Sequence, residues 1–262
     1  MRDFDGTISA CTCNQRQPKP RLCVKTTAHS ALFAVFAAKP LYLLMTKPIS
    51  KHAFIEFALD CGALKFGEFK TKAGRLSPYF FNSGAFSDGK SLAALTGFYA
   101  DAALKSGVPF DMIFGPAYKG ITLAAGMAIA LAQAGKNVPY AFNRKEAKDH
   151  GEGGSIVGAP LAGKVIIVDD VITDGASKIE SVEMIRAAGA SPAAVIIALD
   201  RSERGVDLSN PLSAAQSFSK NVGVPVISVT NVDNIAAYLR ASSDKLEILR
   251  KIEVYRNQYG AN

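Results

Sequence analysis

Cysteine is scarce in this sequence. Four occur among 262 residues, with Cys11, Cys13 and Cys23 inside the first 44 and only Cys61 beyond them. A disulfide scaffold is excluded, and the lone cysteine of the remainder fits a cytoplasmic setting. Cys11, Cys13, Cys23 and His29 match no common zinc spacing. Long apolar runs are missing too: Ala31 to Ala38 is apolar throughout, but eight residues fall far short of the roughly 20 that cross a bilayer. No Gly-x-x-x-x-Gly-Lys-Ser/Thr occurs, so a nucleotide-triphosphate loop is excluded. There is no internal repeat and no low-complexity tract. With 48% hydrophobic and 20% charged residues, collagen-like and disordered chains are excluded as well.

Positive charge is what the chain has in excess, a net +7 from 30 basic and 23 acidic residues. That points to an anionic partner without separating nucleic acid, lipid and phosphorylated metabolite. Residues 1–44 carry six basic side chains against two acidic ones, which is +4 of the total. Charge and cysteine usage therefore both change near Met45. This divides the chain into an extension, 1–44, and a domain, 45–262. Residues 1–30 hold no sustained period of 2 or 3.6, and Gln15-Arg16-Gln17-Pro18-Lys19-Pro20 breaks any helix. The extension reads either as an upstream segment ahead of a start at Met45 or as a targeting segment of signal or transit type.

From Met45 onward strands and helices alternate. The apolar periodicity predicts helices over 49–59, 92–104, 120–134, 174–188, 235–239 and 246–255. Strands are expected over 76–82, 112–114, 138–142, 164–168, 194–199 and 224–229. Strands apolar on both faces with helices between them imply one α/β domain, a parallel sheet flanked by helices. Ligands bind such sheets beyond the carboxyl ends of the strands, so the chemistry is expected just after Phe114, Phe142, Val168 and Leu199.

The strongest local signal follows Val168. A buried strand, Lys164-Val165-Ile166-Ile167-Val168, delivers Asp169 and Asp170, then Val171-Ile172-Thr173-Asp174-Gly175-Ala176-Ser177 turns into a helix. Backbone N–H groups and the positive end of a helix dipole form a phosphate seat. Thr173 and Ser177 add hydroxyls, and Gly175 permits close backbone approach. Asp169 and Asp170 could hold ribose hydroxyls or act on magnesium. The alternative is a strand-end solvation pair with Asp174 as a helix cap.

This stretch resembles the phosphoribosyl-pyrophosphate (PRPP) signature of type I phosphoribosyltransferases, whose fold is a parallel sheet flanked by helices under a small N-terminal hood. Further motifs are similar to those of the orotate-using branch of that family. They are Lys65-Phe66-Gly67-Glu68-Phe69 with Lys72-Ala73-Gly74-Arg75-Leu76-Ser77-Pro78-Tyr79-Phe80-Phe81-Asn82, then Phe114-Gly115-Pro116-Ala117-Tyr118-Lys119-Gly120, then Asn143-Arg144-Lys145-Glu146-Ala147-Lys148-Asp149-His150-Gly151-Glu152-Gly153-Gly154, and Leu199-Asp200-Arg201-Ser202-Glu203-Arg204-Gly205. The likeness runs from about Ile49 to the C-terminus. Asp174 departs from it, since relatives commonly carry a small residue there and a carboxylate would repel phosphate.

The resemblance implies transfer of a 5-phosphoribosyl group from PRPP to orotate, giving orotidine 5′-phosphate and pyrophosphate in pyrimidine biosynthesis. It assigns PRPP to Lys72, Tyr118, Lys119, Arg144, Lys145, Lys148, His150 and the run Asp169, Asp170, Val171, Ile172, Thr173, Asp174, Gly175, Ala176, Ser177. Orotate falls to Phe80, Phe81, Thr173 and Arg201. Arg201 is suited to fork onto carboxylate or carbonyl oxygens. Lys145, Lys148, Asp149 and His150 form the catalytic set on a charged segment that ends in glycines, built like a mobile lid. Lys148 is the main cation expected at the leaving group, Asp149 an organiser of the loop. Magnesium is implied as cofactor, carried by PRPP near Asp169 and Asp170. A homodimer sharing lid residues is implied, with no nucleic acid and no membrane.

Two rivals remain from the sequence: a purine-using enzyme of the same fold, and a PRPP sensor that binds nucleic acid. Phe80-Phe81-Asn82 and the glycine-ended lid oppose the first, and the lack of a helix-turn-helix signal opposes the second. Only seven residues follow Tyr255, so a fused decarboxylase domain is not expected.

Overall fold

In chain order the elements are α1 (Lys51–Asp60), β1 (Leu64–Lys70), β2 (Leu76–Phe81), α2 (Gly89–Lys105), β3 (Met112–Gly115), α3 (Lys119–Gln133), β4 (Tyr140–Lys148) and β5 (Gly154–Gly158). They continue with β6 (Lys164–Val168), α4 (Ala176–Ala187), β7 (Ser191–Asp200), α5 (Ala214–Val222), β8 (Val226–Asn231), α6 (Val232–Arg240) and α7 (Leu246–Tyr259). This computed structural model describes residues 51–71, 74–148, 154–173, 175–205 and 208–261. The extension 1–44 and its boundary at Met45 lie outside the described residues, as do Lys72, Asp149, His150, Gly151, Glu152, Gly153 and Asp174.

Six strands form one sheet in the order β5-β4-β3-β6-β7-β8, and β1 and β2 form a separate antiparallel pair. From β4 to β8 neighbouring strands are parallel. Edge strand β5 is the exception and runs antiparallel to β4. The expected parallel sheet is therefore mostly parallel. The difference arises because the segment after β4 returns as a hairpin instead of crossing over through a helix, which a parallel connection requires.

Alternation along β6 explains why the sheet is covered twice. Ile166 and Val168 join Phe54 and Ile55 of α1, Leu95 and Tyr99 of α2, Met127 and Leu131 of α3 and Ile235 of α6 in one buried cluster. Val165 and Ile167 point the other way, into a second cluster with Val182 and Ile185 of α4 and Phe218 of α5. All four of these β6 side chains have no exposed surface. Burying each is worth roughly 1.5–3 kcal/mol, so the strand end is held rigidly where the polar turn begins.

Helix α2 starts under a capping box: the Asp88 side chain accepts from the Ser91 N–H, and the Ser91 hydroxyl accepts from that of Asp88. The β1–β2 hairpin packs against α7 through β2, forming the small hood that the resemblance implies. No helix among the described residues is long and apolar enough to cross a membrane.

Candidate active site

The turn after β3 is made possible by two glycines. A Cβ on Gly115 would lie 2.0 Å from the Gly120 carbonyl oxygen, so the strand end and the start of α3 meet backbone to backbone. Between them the Ala117 N–H donates to Asn143 Oδ1 of β4 at 2.7 Å, tying the turn to the base of the charged arm. The Ala117–Tyr118 peptide is cis. Tyr118 is largely exposed, and the Lys145 ammonium lies 5.2 Å from its ring centroid. Lys119 reaches across to the next strand end, where its ammonium pairs with Asp170 Oδ2 at 2.5 Å.

The turn after β6 gathers the densest set of contacts. Asp169 and Asp170 are both buried, which rules out a solvated strand-end pair. Asp170 Oδ2 also accepts from the Ser83 hydroxyl at 2.9 Å, and Oδ1 accepts from the Val171 N–H at 2.8 Å. Burial pushes the Asp170 carboxyl up, but the Lys119 hydrogen bond and charge, the Ser83 hydroxyl and the Val171 N–H outweigh it and hold the group below its ordinary value. Asp169 Oδ1 accepts from the Asp170 N–H at 2.9 Å, and the Asp169 carbonyl accepts from the fully buried Tyr99 hydroxyl at 2.7 Å. Ser177 Oγ stands 3.5 Å from Asp169 Oδ2. The cap of α4 is Gly175 at φ 76°, a left-handed position that favours glycine, so the helix opens two residues later than the periodicity predicts. Ile172 is buried and anchors the turn, while Thr173 is exposed.

The third strand end belongs to β7. Arg201 donates from Nε to Glu203 Oε1 at 2.8 Å and from NH2 to Ser77 Oγ of β2 at 2.9 Å. Its guanidinium lies 4.5 Å from the centroid of the Tyr79 ring. Glu203 also receives the Tyr255 hydroxyl at 3.1 Å and the Tyr79 hydroxyl at 3.4 Å, with Arg75 NH1 at 3.7 Å. Burial works against the Arg201 charge, but Tyr79 and Glu203 outweigh it and raise the group above its ordinary value. Burial likewise pushes the Tyr79 phenol far up, opposed by Arg201 and reinforced by Glu203, so it remains a donor.

Of the expected residues, the structure brings Lys119 to Asp170, Lys145 to Tyr118, and Ser177 to Asp169. Arg201 joins the hood through Ser77. Phe80 is exposed and stacks on Phe69 at 5.3 Å between centroids, whereas Phe81 turns toward the core beside Phe86 at 6.4 Å. The paired rings thus split between surface and core. Arg144 is half-buried on β4. Lys148 ends β4, its backbone paired with Gly154 of β5. Arg144, Lys145 and Lys148 therefore share one strand, β4, whereas Asp149 and His150 lie outside the described residues.

Sequence reasoning missed Ser77, Ser83, Asn143, Lys178 and Glu203. Lys178 is buried at the start of α4, where it pairs with Asp169 and donates to the Val171 carbonyl at 2.7 Å. Its signal was a lysine in the first turn of a helix, where the dipole disfavours a cation. Glu203 sat inside a quoted motif without a role.

A profile of the phosphoribosyl transferase domain matches residues 86–228. An orotate phosphoribosyltransferase of Bordetella bronchiseptica is 57% identical over 213 residues, covering 79% of this chain and 95% of the relative. One from Nitrosospira multiformis is 59% identical over 208 residues, covering 79% and 90%. The crystal structure of orotate phosphoribosyltransferase from Francisella tularensis is similar with a TM-score of 0.73 at 42% identity, over 80% of this chain and all of that one.

Proposed function

Because the chain belongs to the orotate phosphoribosyltransferase family, we propose that PRPP is held at the turns after β3 and β6 and orotate beside Arg201 at the end of β7. The family's reaction moves the 5-phosphoribosyl group from PRPP to orotate, in pyrimidine biosynthesis, and the chain is a pentosyltransferase of that kind. The observation that carries the site is the convergence of three strand ends and the hood. Lys119 and Ser83 meet on Asp170, and Arg201 reaches Ser77.

In this arrangement the 5′-phosphate takes the backbone N–H groups and hydroxyls of the Asp169–Ser177 turn at the head of α4. Lys119, Tyr118, Arg144 and Lys145 face the pyrophosphate, with Lys72 from the hood. As the bond at the anomeric carbon breaks, positive charge grows on the ribosyl carbon and negative charge on the leaving pyrophosphate. Lys148 meets that negative charge from the hairpin tip, Asp149 orders the loop, and His150 adds a further polar contact. Closure of the arm excludes water that would hydrolyse PRPP. Orotate lies near Phe80, Phe81 and Thr173, and Arg201 reads its carboxylate or carbonyl oxygens.

Magnesium belongs to this reading as the ion that arrives with PRPP. No cluster of three or more His, Cys, Asp or Glu able to cage a metal exists among the described residues. The Asp169–Asp170 pair does suit an ion that takes one or two carboxylates together with substrate phosphates. When bound, it offsets charge on the departing pyrophosphate. The domain occupies 45–262, works in the cytoplasm as a homodimer whose arms cross to the partner's site, and needs neither nucleic acid nor membrane.

The deciding assay supplies PRPP and magnesium with either orotate or hypoxanthine and follows pyrophosphate release. Release with orotate alone is expected. Release with hypoxanthine and not orotate would move the chain to the purine-using branch.

A further inference from the structure

Two lysine–aspartate pairs stand side by side at the end of β6, and they differ in what surrounds the lysine. Lys119 has a side chain 55% exposed, free to leave Asp170 for a substrate oxygen. Lys178 is 7% exposed. A buried ammonium that left its carboxylate would strand two charges away from water, so this pair does not open on binding.

We propose that Lys178 is a positioning residue that ties Asp169 into the protein and shapes the phosphate turn, so that of the two lysine–aspartate pairs only the one at Asp170 opens for PRPP. This rests on the assignment of the turn to PRPP. Both oxygens of Asp169 are already engaged: Oδ1 by the Asp170 N–H and Oδ2 by Lys178 and Ser177. Its backbone is fixed as well, the N–H donating to the Ile196 carbonyl at 3.0 Å and the carbonyl accepting from Tyr99. Both oxygens of Asp170 are engaged too, Oδ1 by the Val171 N–H and Oδ2 by the Ser83 hydroxyl and Lys119, but its lysine is exposed and can leave where that of Asp169 cannot.

The second contact of Lys178 orders the turn itself. Its ammonium holds the Val171 carbonyl at 2.7 Å. The Val171–Ile172 peptide is planar and trans, so the Ile172 N–H points away from the ammonium. That leaves the N–H free of the buried side and presents it as a donor to the 5′-phosphate. One buried lysine thus neutralises a carboxylate that would repel phosphate and orients an amide that attracts it.

Four variants test this: Lys178→Met, Asp169→Asn, the two combined, and Asp170→Asn. PRPP affinity is measured by titration calorimetry, alongside kcat and both KM values. Lys178→Met should weaken PRPP roughly tenfold or more, the scale of a charge-assisted hydrogen bond, with KM for orotate and kcat at saturation nearly unchanged. Adding Asp169→Asn should restore part of that affinity, because the stranded carboxylate is gone. A lower Tm with unaltered PRPP affinity, or losses that simply add in the double variant, would overturn the role. If Lys178→Met does not fold, the double variant is compared with wild type, and equal PRPP affinity overturns it. Asp170→Asn guards the premise: unchanged PRPP binding there would refute the assignment of the turn, whatever Lys178 does.

Discussion

At the end of β6, proposed for PRPP, two carboxylates, Asp169 and Asp170, each take a lysine of their own. At the end of β7, proposed for orotate, a single carboxylate, Glu203, gathers two arginines and two tyrosines from the hood, the β7 end and α7. The first arrangement contains a pair that can open, because Lys119 is half in solvent. The second is a closed network in which Arg201 is held on two sides by Glu203 and Ser77. The difference matches the ligands proposed for each end. A flexible, multiply charged sugar phosphate needs cations that can move with it, whereas a flat pyrimidine acid is read by a guanidinium fixed in one plane.

The largest effect that separates the two ends is expected at the hairpin. Lys148→Ala should cut kcat by about 10²-fold or more, the scale of losing one oxyanion-type donor, with KM for orotate little changed. Steady-state kinetics in which every chain carries the substitution checks this. A raised orotate KM with kcat intact would shift Lys148 from the leaving group to the orotate end.

Next in size is Arg201→Ala. Orotate affinity should fall roughly tenfold to a hundredfold, the range of one hydrogen bond to a charged group, and PRPP affinity much less. Glu203→Gln should weaken orotate in the same direction by a smaller factor, since the side chain keeps its shape and loses only the charge that orients Arg201. Calorimetry with each ligand separately measures both variants. Equal losses for PRPP and orotate would dissolve the division between the ends.

The scaffold of this site was legible because its strands are apolar on both faces. Lys164 to Val168, Ala194 to Leu199 and the helices between them follow from periodicity alone. What escaped lacked a clean period. β1 carries Gly67 and a register irregularity between Phe66 and Phe69, so its alternation is broken. β5 is a short, glycine-bounded edge strand. α5 has polar residues at most positions, although Ser213 and Gln216 form a capping box that marks its start. The motifs named the residues on each loop, but pairing between loops is a property of topology. Ser77 and Arg201 are 124 residues apart and meet only because the hood folds over the end of β7. Lys178 was hidden for a different reason. A lysine early in a helix reads as solvated, and only the packing of α4 against β6 reveals it as buried.

The smallest and most specific test of the comparison concerns the pair that opens. Asp170 has its carboxyl held below the ordinary value, against the upward push of burial, mainly by Lys119. A depressed carboxylate contributes its stability in full above its unfolded value of about 3.9 and loses it as pH falls through the lower folded value. In Lys119→Met the burial penalty is no longer outweighed to the same degree, so acid unfolding without ligand should begin at a higher pH than in wild type. The cost at neutral pH should stay at about 1 kcal/mol or less, since the lysine is more than half exposed and screened by solvent. Circular dichroism across an acid titration measures both quantities. Lys178→Met in the same titration should cost more at neutral pH, because its partner is left buried and uncompensated. If the two variants lost equal stability, the contrast between an opening pair and a fixed one would fail at its base.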